Sequence, residues 1–182
     1  AKEFAQAGGP FELIQFWVNA PAKHKFDPAN YQPLSAEDTP MVSSTDGKIN
    51  IGIVAGSFLG KEGPIETHSP LLTLRLDIAK GGSMQIPIPA DYNAILYPLD
   101  GSLRINGDRE LKAKDMTVFS TDGEGITIEG LTETRAILLA GKPIEEPVVS
   151  YGPFVMNSQK EVMQAIQDYQ AGKLGTLEED FG

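Results

Sequence analysis

The chain of 182 residues contains no cysteine. Disulfides, thiolate catalysis and cysteine-bound zinc or iron–sulfur clusters are therefore excluded. Histidine is nearly as scarce, with only His24 and His68. Metal-binding histidines often stand as a short-spaced pair within one element. These two occupy separate loop-like stretches, and both read as surface histidines. Basic charge is also in short supply: 15 Lys and Arg face 25 Asp and Glu, for a net charge of -10 and a pI near 4.6. Such a surface repels phosphate backbones and anionic lipid, so neither nucleic acid nor a membrane is an expected direct partner. No apolar run approaches the roughly 20 residues of a membrane span. The opening AKEFAQAGGP has no apolar signal core. With cysteine absent as well, a cytoplasmic location is the expectation.

The familiar catalytic signatures are missing too. There is no Gly-x-Ser-x-Gly elbow, and nothing singles out His24 or His68 as the base of a triad. Gly56 to Gly63 (GSFLGKEG) has glycines and a lysine but no Gly-Lys-Ser/Thr ending, and it leads into Pro64 rather than a helix. Paired carboxylates such as Glu145-Glu146 read as solvated faces.

What is present is a succession of short strands. Phe11–Asn19 (FELIQFWVN) is rich in aromatic and β-branched residues and predicts a strand. A proline-rich connector follows over Ala20–Pro40. Ile49, Ile51 and Ile53 alternate, as do Leu72, Leu74, Leu76 and Ile78, each set marking one strand face. Further short runs follow: NAILYPL, SLRIN, MTVFS, GITIEG and TRAILLAG. The turns between them carry Asp100-Gly101, Asn106-Gly107 and Asp122-Gly123, a chemistry that favours hairpins. Many short strands at close spacing predict an antiparallel barrel or sandwich. One segment breaks the pattern. From Asn157 to Gly172 the apolar period becomes helical, with Val162, Ala165, Ile166 and Tyr169 in one stripe. Ser158 and Glu161 form a Ser-x-x-Glu capping box, and Gly172 is a fitting stop. Pro147, Pro153, Tyr151 and Phe154 make a stiff apolar arm between the last barrel strand and this helix.

Phe11–Lys25 (FELIQFWVNAPAKHK), Ala140–Asn157 (AGKPIEEPVVSYGPFVMN) and DYQAGKLG together resemble the pirin family, over almost the whole chain. The resemblance implies an all-β, cupin-like antiparallel β-barrel (double-stranded β-helix) with one C-terminal α-helix. Pirins are bicupins, described as iron-binding nuclear co-regulators of NF-kappaB-type transcription, and several have quercetin 2,3-dioxygenase activity. The match implies the C-terminal cupin half only. Residues 1–10 would be a remnant of the interdomain link, 11–150 the barrel, and 151–182 an arm, helix and tail that dock on a partner domain.

In the family the N-terminal cupin holds iron through three histidines and a glutamate. Aligned on Tyr97–Gly101 (YPLDG), the His-x-His positions fall on Pro87 and Pro89, and the later His-x-Glu falls near Ile128 and Gly130. None of these side chains can ligate iron, which needs imidazole or carboxylate donors. The resemblance therefore places no metal, cofactor or catalytic residue in this chain, and the iron in an N-terminal half absent from it. The expected partner is that half, as a fragment or separate chain, or a second copy bound through the arm. The docking residues would be Tyr151, Phe154, Met156, Val162, Ile166 and Tyr169. Two readings compete with a metal-free support and interaction module. One is part of an iron-dependent dioxygenase whose chemistry sits in the other half. The other is a stand-alone barrel holding a small apolar ligand, although barrels this small are more often packed solid.

Overall fold

Strand after strand, the alternating apolar residues turn to one interior. The structure, a computed structural model, describes residues 2–175. The tail residues 176–182 lie outside the described residues. In chain order the strands are β1 (Met41–Ser43), β2 (Ile49–Ala55), β3 (Ser57–Phe58), β4 (Lys61–Glu62), β5 (Leu71–Ile78), β6 (Ser83–Pro87) and β7 (Asn93–Pro98). They continue with β8 (Ser102–Ile105), β9 (Arg109–Lys112), β10 (Thr117–Phe119), β11 (Gly125–Gly130), β12 (Thr134–Gly141), β13 (Val149–Tyr151) and β14 (Phe154–Met156). Two α-helices, α1 (Lys2–Ala7) and α2 (Gln159–Gln170), and a short 3-10 turn at Ala22–His24 complete the described elements.

The chain divides into two compact units. The first, Asn30–Ile144, is the barrel. Its six-stranded sheet has the order β1-β2-β5-β12-β7-β10, and its four-stranded sheet the order β6-β11-β8-β9. Neighbouring strands in both sheets are antiparallel. The chain crosses repeatedly from one sheet to the other, as in cupins and jelly rolls. Ile49, Ile51, Ile53, Leu74, Leu76, Leu96, Leu103, Ile128 and Leu138 are wholly buried between the sheets. The alternation of β2 and β5 read from sequence is thus real: odd residues of β2 and even residues of β5 face the core. Among the described residues, the buried polar side chains are four threonines, Thr39, Thr73, Thr117 and Thr134.

The turn chemistry predicted three hairpins, and the structure makes one. Asn106-Gly107 joins β8 to β9 within one sheet. Asp100-Gly101 and Asp122-Gly123 instead carry the chain between sheets, from β7 to β8 and from β10 to β11. A tight turn reverses the chain, but which strand it then meets depends on the barrel's closure. The glycine-containing stretch after Gly56 holds a small hairpin, β3–β4.

The second unit takes the described residues up to Ala29 and from Glu145 onward. Strands β13 and β14 pair as a hairpin, and α2 packs on it. Ser158 caps α2 as expected: its hydroxyl oxygen accepts from the Glu161 N–H at 3.3 Å. Glu161 Oε2 in return accepts from the Asn157 N–H at 3.1 Å. The helix ends in paired hydrogen bonds, Gly172 N–H to Tyr169 O and Lys173 N–H to Asp168 O, which satisfy its last carbonyls. The predicted strand Phe11–Asn19 does not form. A strand exists only with a ladder partner, and from Leu13 to Val18 the main chain makes no hydrogen bond with a described residue. No helix among the described residues is long and apolar enough to cross a membrane.

Candidate functional site

The four positions aligned with the family's iron ligands do not converge. On β6 and just beyond it the side chains of Ile86 and Ile88 point inward, so Pro87 and Pro89 are exposed on the outside. There they line a surface hollow of about 400 Å³ with Ser57, Phe58, Leu59 and Glu124. On β11, by contrast, Ile128 is wholly buried and pairs across the sheet with Ile105 and Met84. Successive residues of a strand face opposite ways, so Pro87 and Ile128 belong to opposite faces of the wall. Gly130 has no room for a carboxylate. A Cβ there would sit 2.6 Å from the Ala79 carbonyl oxygen. The positions are lined by hydrocarbon or by packed main chain, and they do not fit iron.

The polar groups of the barrel do structural work. Asp100, at the crossing turn between β7 and β8, accepts from the Arg135 main-chain N–H at 2.8 Å and from its Nε at 2.6 Å. The main-chain N–H is the chief reason its carboxyl sits below the ordinary value of 3.8, with the guanidinium adding to it and burial opposing. Gln32 clamps the chain at Glu66, donating to its carbonyl at 3.0 Å and accepting from its N–H at 2.8 Å.

The second unit holds the surface that invites a partner. Six large apolar side chains between Phe11 and Val18 are exposed, among them Phe11 at 75%, Leu13 at 73% and Trp17 at 66%. Beside them lies a hollow of about 520 Å³. One wall is Trp17–Ala20 with His24 and Lys25; the other is Val148 with Pro153–Met156. His24 Nδ1 is 2.8 Å from Asp27 Oδ2, and Lys25 Nζ donates to Asn19 Oδ1 at 2.6 Å. Both polar groups at the rim are thereby held in place.

The six residues singled out for docking divide. Tyr151 and Tyr169 are exposed, at 70% and 65%. Phe154 and Met156 are half-buried and line the hollow. The Phe154 ring meets Tyr169 edge-on at 6.3 Å. Ile166 is half-buried, while Val162 is buried. The sequence reading missed two polar residues here, Glu146 and Asn157. Glu146, taken for a solvated carboxylate, accepts from the Ala22 N–H at 2.6 Å and from Asn157 Nδ2 at 3.0 Å. Its partner Ala22 lies so far away in the chain that no local pattern could have announced the contact.

Comparison with known proteins agrees with this architecture. The profile of the Pirin C-terminal cupin domain matches residues 73–175. A pirin-like protein of Solanum lycopersicum is 36% identical over 176 residues, spanning 95% of this chain and 60% of its own. Pirin of Homo sapiens is 31% identical over 170 residues, spanning 91% of this chain and 58% of its own. Among solved structures, a quercetin 2,3-dioxygenase from Acinetobacter baumannii superposes with a TM-score of 0.90 at 32% identity, covering 97% of this chain and 61% of that one. The chain thus spans about three fifths of the length of the relatives it matches. With the barrel, the arm and helix, and the profile all in agreement, the chain belongs to the pirin family, and its residues 73–175 are a pirin C-terminal cupin domain.

Proposed function

We propose that this chain is a metal-free support and interaction module for an iron-binding cupin barrel, joined to it in one polypeptide or supplied as a second. The observation that carries this reading is the state of Leu13–Val18. Its main chain has no ladder partner among the described residues, and its large apolar side chains are exposed. An unpaired, β-prone segment of this kind completes its hydrogen bonds by adding to the open edge of another sheet. Tyr151 and Tyr169 are further exposed aromatic side chains of the same unit. The relatives' additional two fifths of length is where such a barrel would come from. The hydrocarbon character of the barrel interior also supports a partner that carries the metal.

A second reading is favoured by one observation, the close superposition on a quercetin 2,3-dioxygenase from Acinetobacter baumannii. In that reading the assembled protein is an iron-dependent dioxygenase, and this barrel supplies scaffold rather than chemistry. Iron bound by the partner would orient the substrate and activate its oxidation; the side chains at Pro87, Pro89, Ile128 and Gly130 supply no ligand.

Both readings are tested by mixing this chain with an N-terminal cupin from one of the relatives. Size exclusion with light scattering reads association, elemental analysis locates the iron, and turnover of quercetin separates an enzyme from a scaffold. A stable complex with iron confined to the partner is expected. A chain that stays monomeric, with the Leu13–Val18 amides already protected from exchange, would refute the docking reading. Stoichiometric iron in this chain alone would refute the metal-free reading.

A further inference from the structure

The two walls of the hollow come from opposite ends of the chain. One is built around residues 17–25, the other around residues 148–156. Glu146 touches both. A single carboxylate oxygen, Oε2, accepts the Ala22 N–H at 2.6 Å and Asn157 Nδ2 at 3.0 Å. The same Asn157 amide donates to Pro147 O at 3.0 Å, which orients its nitrogen toward these two acceptors. Asn157 N–H then passes the connection to Glu161 Oε2, which also accepts from the Ser158 hydroxyl at 2.9 Å. A continuous set of hydrogen bonds therefore runs from the 3-10 turn at Ala22 to the cap of α2.

Two features mark this network as more than incidental surface pairing. Glu145, immediately before the hub, has φ +57, a left-handed backbone that a residue with a side chain adopts only at a cost. The buried Asn157 Oδ1 has no hydrogen-bond partner among the described residues. Such an orphaned acceptor is tolerated only where the rest of the network holds the group in place.

We infer that Glu146 is a positioning residue: with Asn157 it latches the Trp17–Lys25 wall to the hairpin and helix, and so presets the docking surface before any partner arrives. The surface's purpose rests on the docking reading above, but the latch itself is read from this chain alone. Without it, a partner would have to order both walls on binding, and each immobilised side chain weakens association.

The test is amide hydrogen exchange of the full chain, followed at Ala22 with Leu74 as a reporter of the barrel. Glu146→Ala and Asn157→Asp should each speed exchange at Ala22 by at least about tenfold, the signature of local opening, while Leu74 stays protected. Asn157→Asp sets one carboxylate against another and against the Pro147 carbonyl, so acceptor faces acceptor. Glu146→Gln keeps an acceptor for Ala22 and should change exchange little. A residue that merely fills space would lose no protection in Asn157→Asp, which is nearly isosteric. Unchanged exchange at Ala22 in Glu146→Ala, or in Asn157→Asp, overturns the latch. A latch that behaves as expected in a chain that binds no cupin partner overturns only the docking reading.

Discussion

Replacing Gly101 by alanine tests how the barrel is closed. Gly101 sits at the crossing from β7 to β8 with φ +70. A left-handed backbone costs a residue with a Cβ roughly 1–2 kcal/mol. Here the Cβ would also lie 2.1 Å from the Glu133 carbonyl oxygen and 2.4 Å from Thr134 Oγ1. Relieving that overlap means moving main chain in the crossing that Asp100 and Arg135 tie down, at about 1–3 kcal/mol more. The total is about 2–5 kcal/mol, a large share of the ~5–15 kcal/mol that stabilises a typical domain. Gly107 is the control. Its φ is +83, but nothing lies within 4 Å of a Cβ built there, so Gly107→Ala should cost only the backbone term of about 1–2 kcal/mol. Urea denaturation followed by far-UV circular dichroism measures both. For a slope near 2 kcal/mol per molar, Gly101→Ala should lower the midpoint by about 1–2.5 M and Gly107→Ala by about 0.5–1 M, with slopes unchanged. Equal losses in the two variants would refute the claim that main chain closes over Gly101.

Three further outcomes follow from the same geometry. Asp100 has a lowered pKa, so its contribution is complete above the ordinary 3.8 and is lost as pH falls through the folded value. The stability gap between the native chain and Asp100→Asn should therefore be steady at neutral pH and close in acid; a gap that widens in acid, by chemical denaturation at several pH values, would contradict this. Ser158→Ala removes the α2 cap and should cost about 1 kcal/mol of local stability, visible as faster exchange in the first turn of α2 with Leu74 unaffected. Placing histidines at Pro87 and Pro89 should confer no stoichiometric iron, because both positions face outward while Ile128 faces inward; elemental analysis of the variant after loading with ferrous iron checks it.

Much of the fold was legible because its signal is local. Alternating isoleucines in β2 and leucines in β5 state which face is buried, whatever they pack against. The Ser158–Glu161 cap and the stripe of α2 are likewise properties of neighbouring residues, and both formed as read. What failed was pairing. Asp100-Gly101 and Asp122-Gly123 have the composition of hairpin turns, yet they link different sheets. Phe11–Asn19 has the composition of a strand, yet it forms none, and from Leu13 to Val18 its main chain has no hydrogen-bond partner among the described residues. Val162 and Tyr169 lie on one stripe in the sequence, yet the first is buried and the second exposed.

From its sequence alone this chain was determined to be an acidic, cysteine-free, all-β barrel with a capped terminal helix, and its aligned ligand positions lacked any donor. Composition and short-range periodicity suffice for the acidity, the antiparallel strands and the capped helix, since each residue reports its own preference for water or core; the cupin barrel and the alignment of the ligand positions are what the resemblance to pirins implies. Tertiary structure decided that Pro87 and Ile128 stand on opposite faces, that Gly130 is closed over by the Ala79 carbonyl, and that Glu146 bridges Ala22 and Asn157. Those facts depend on strand parity, on chain closure and on contacts between residues more than a hundred positions apart, none of which a local pattern records.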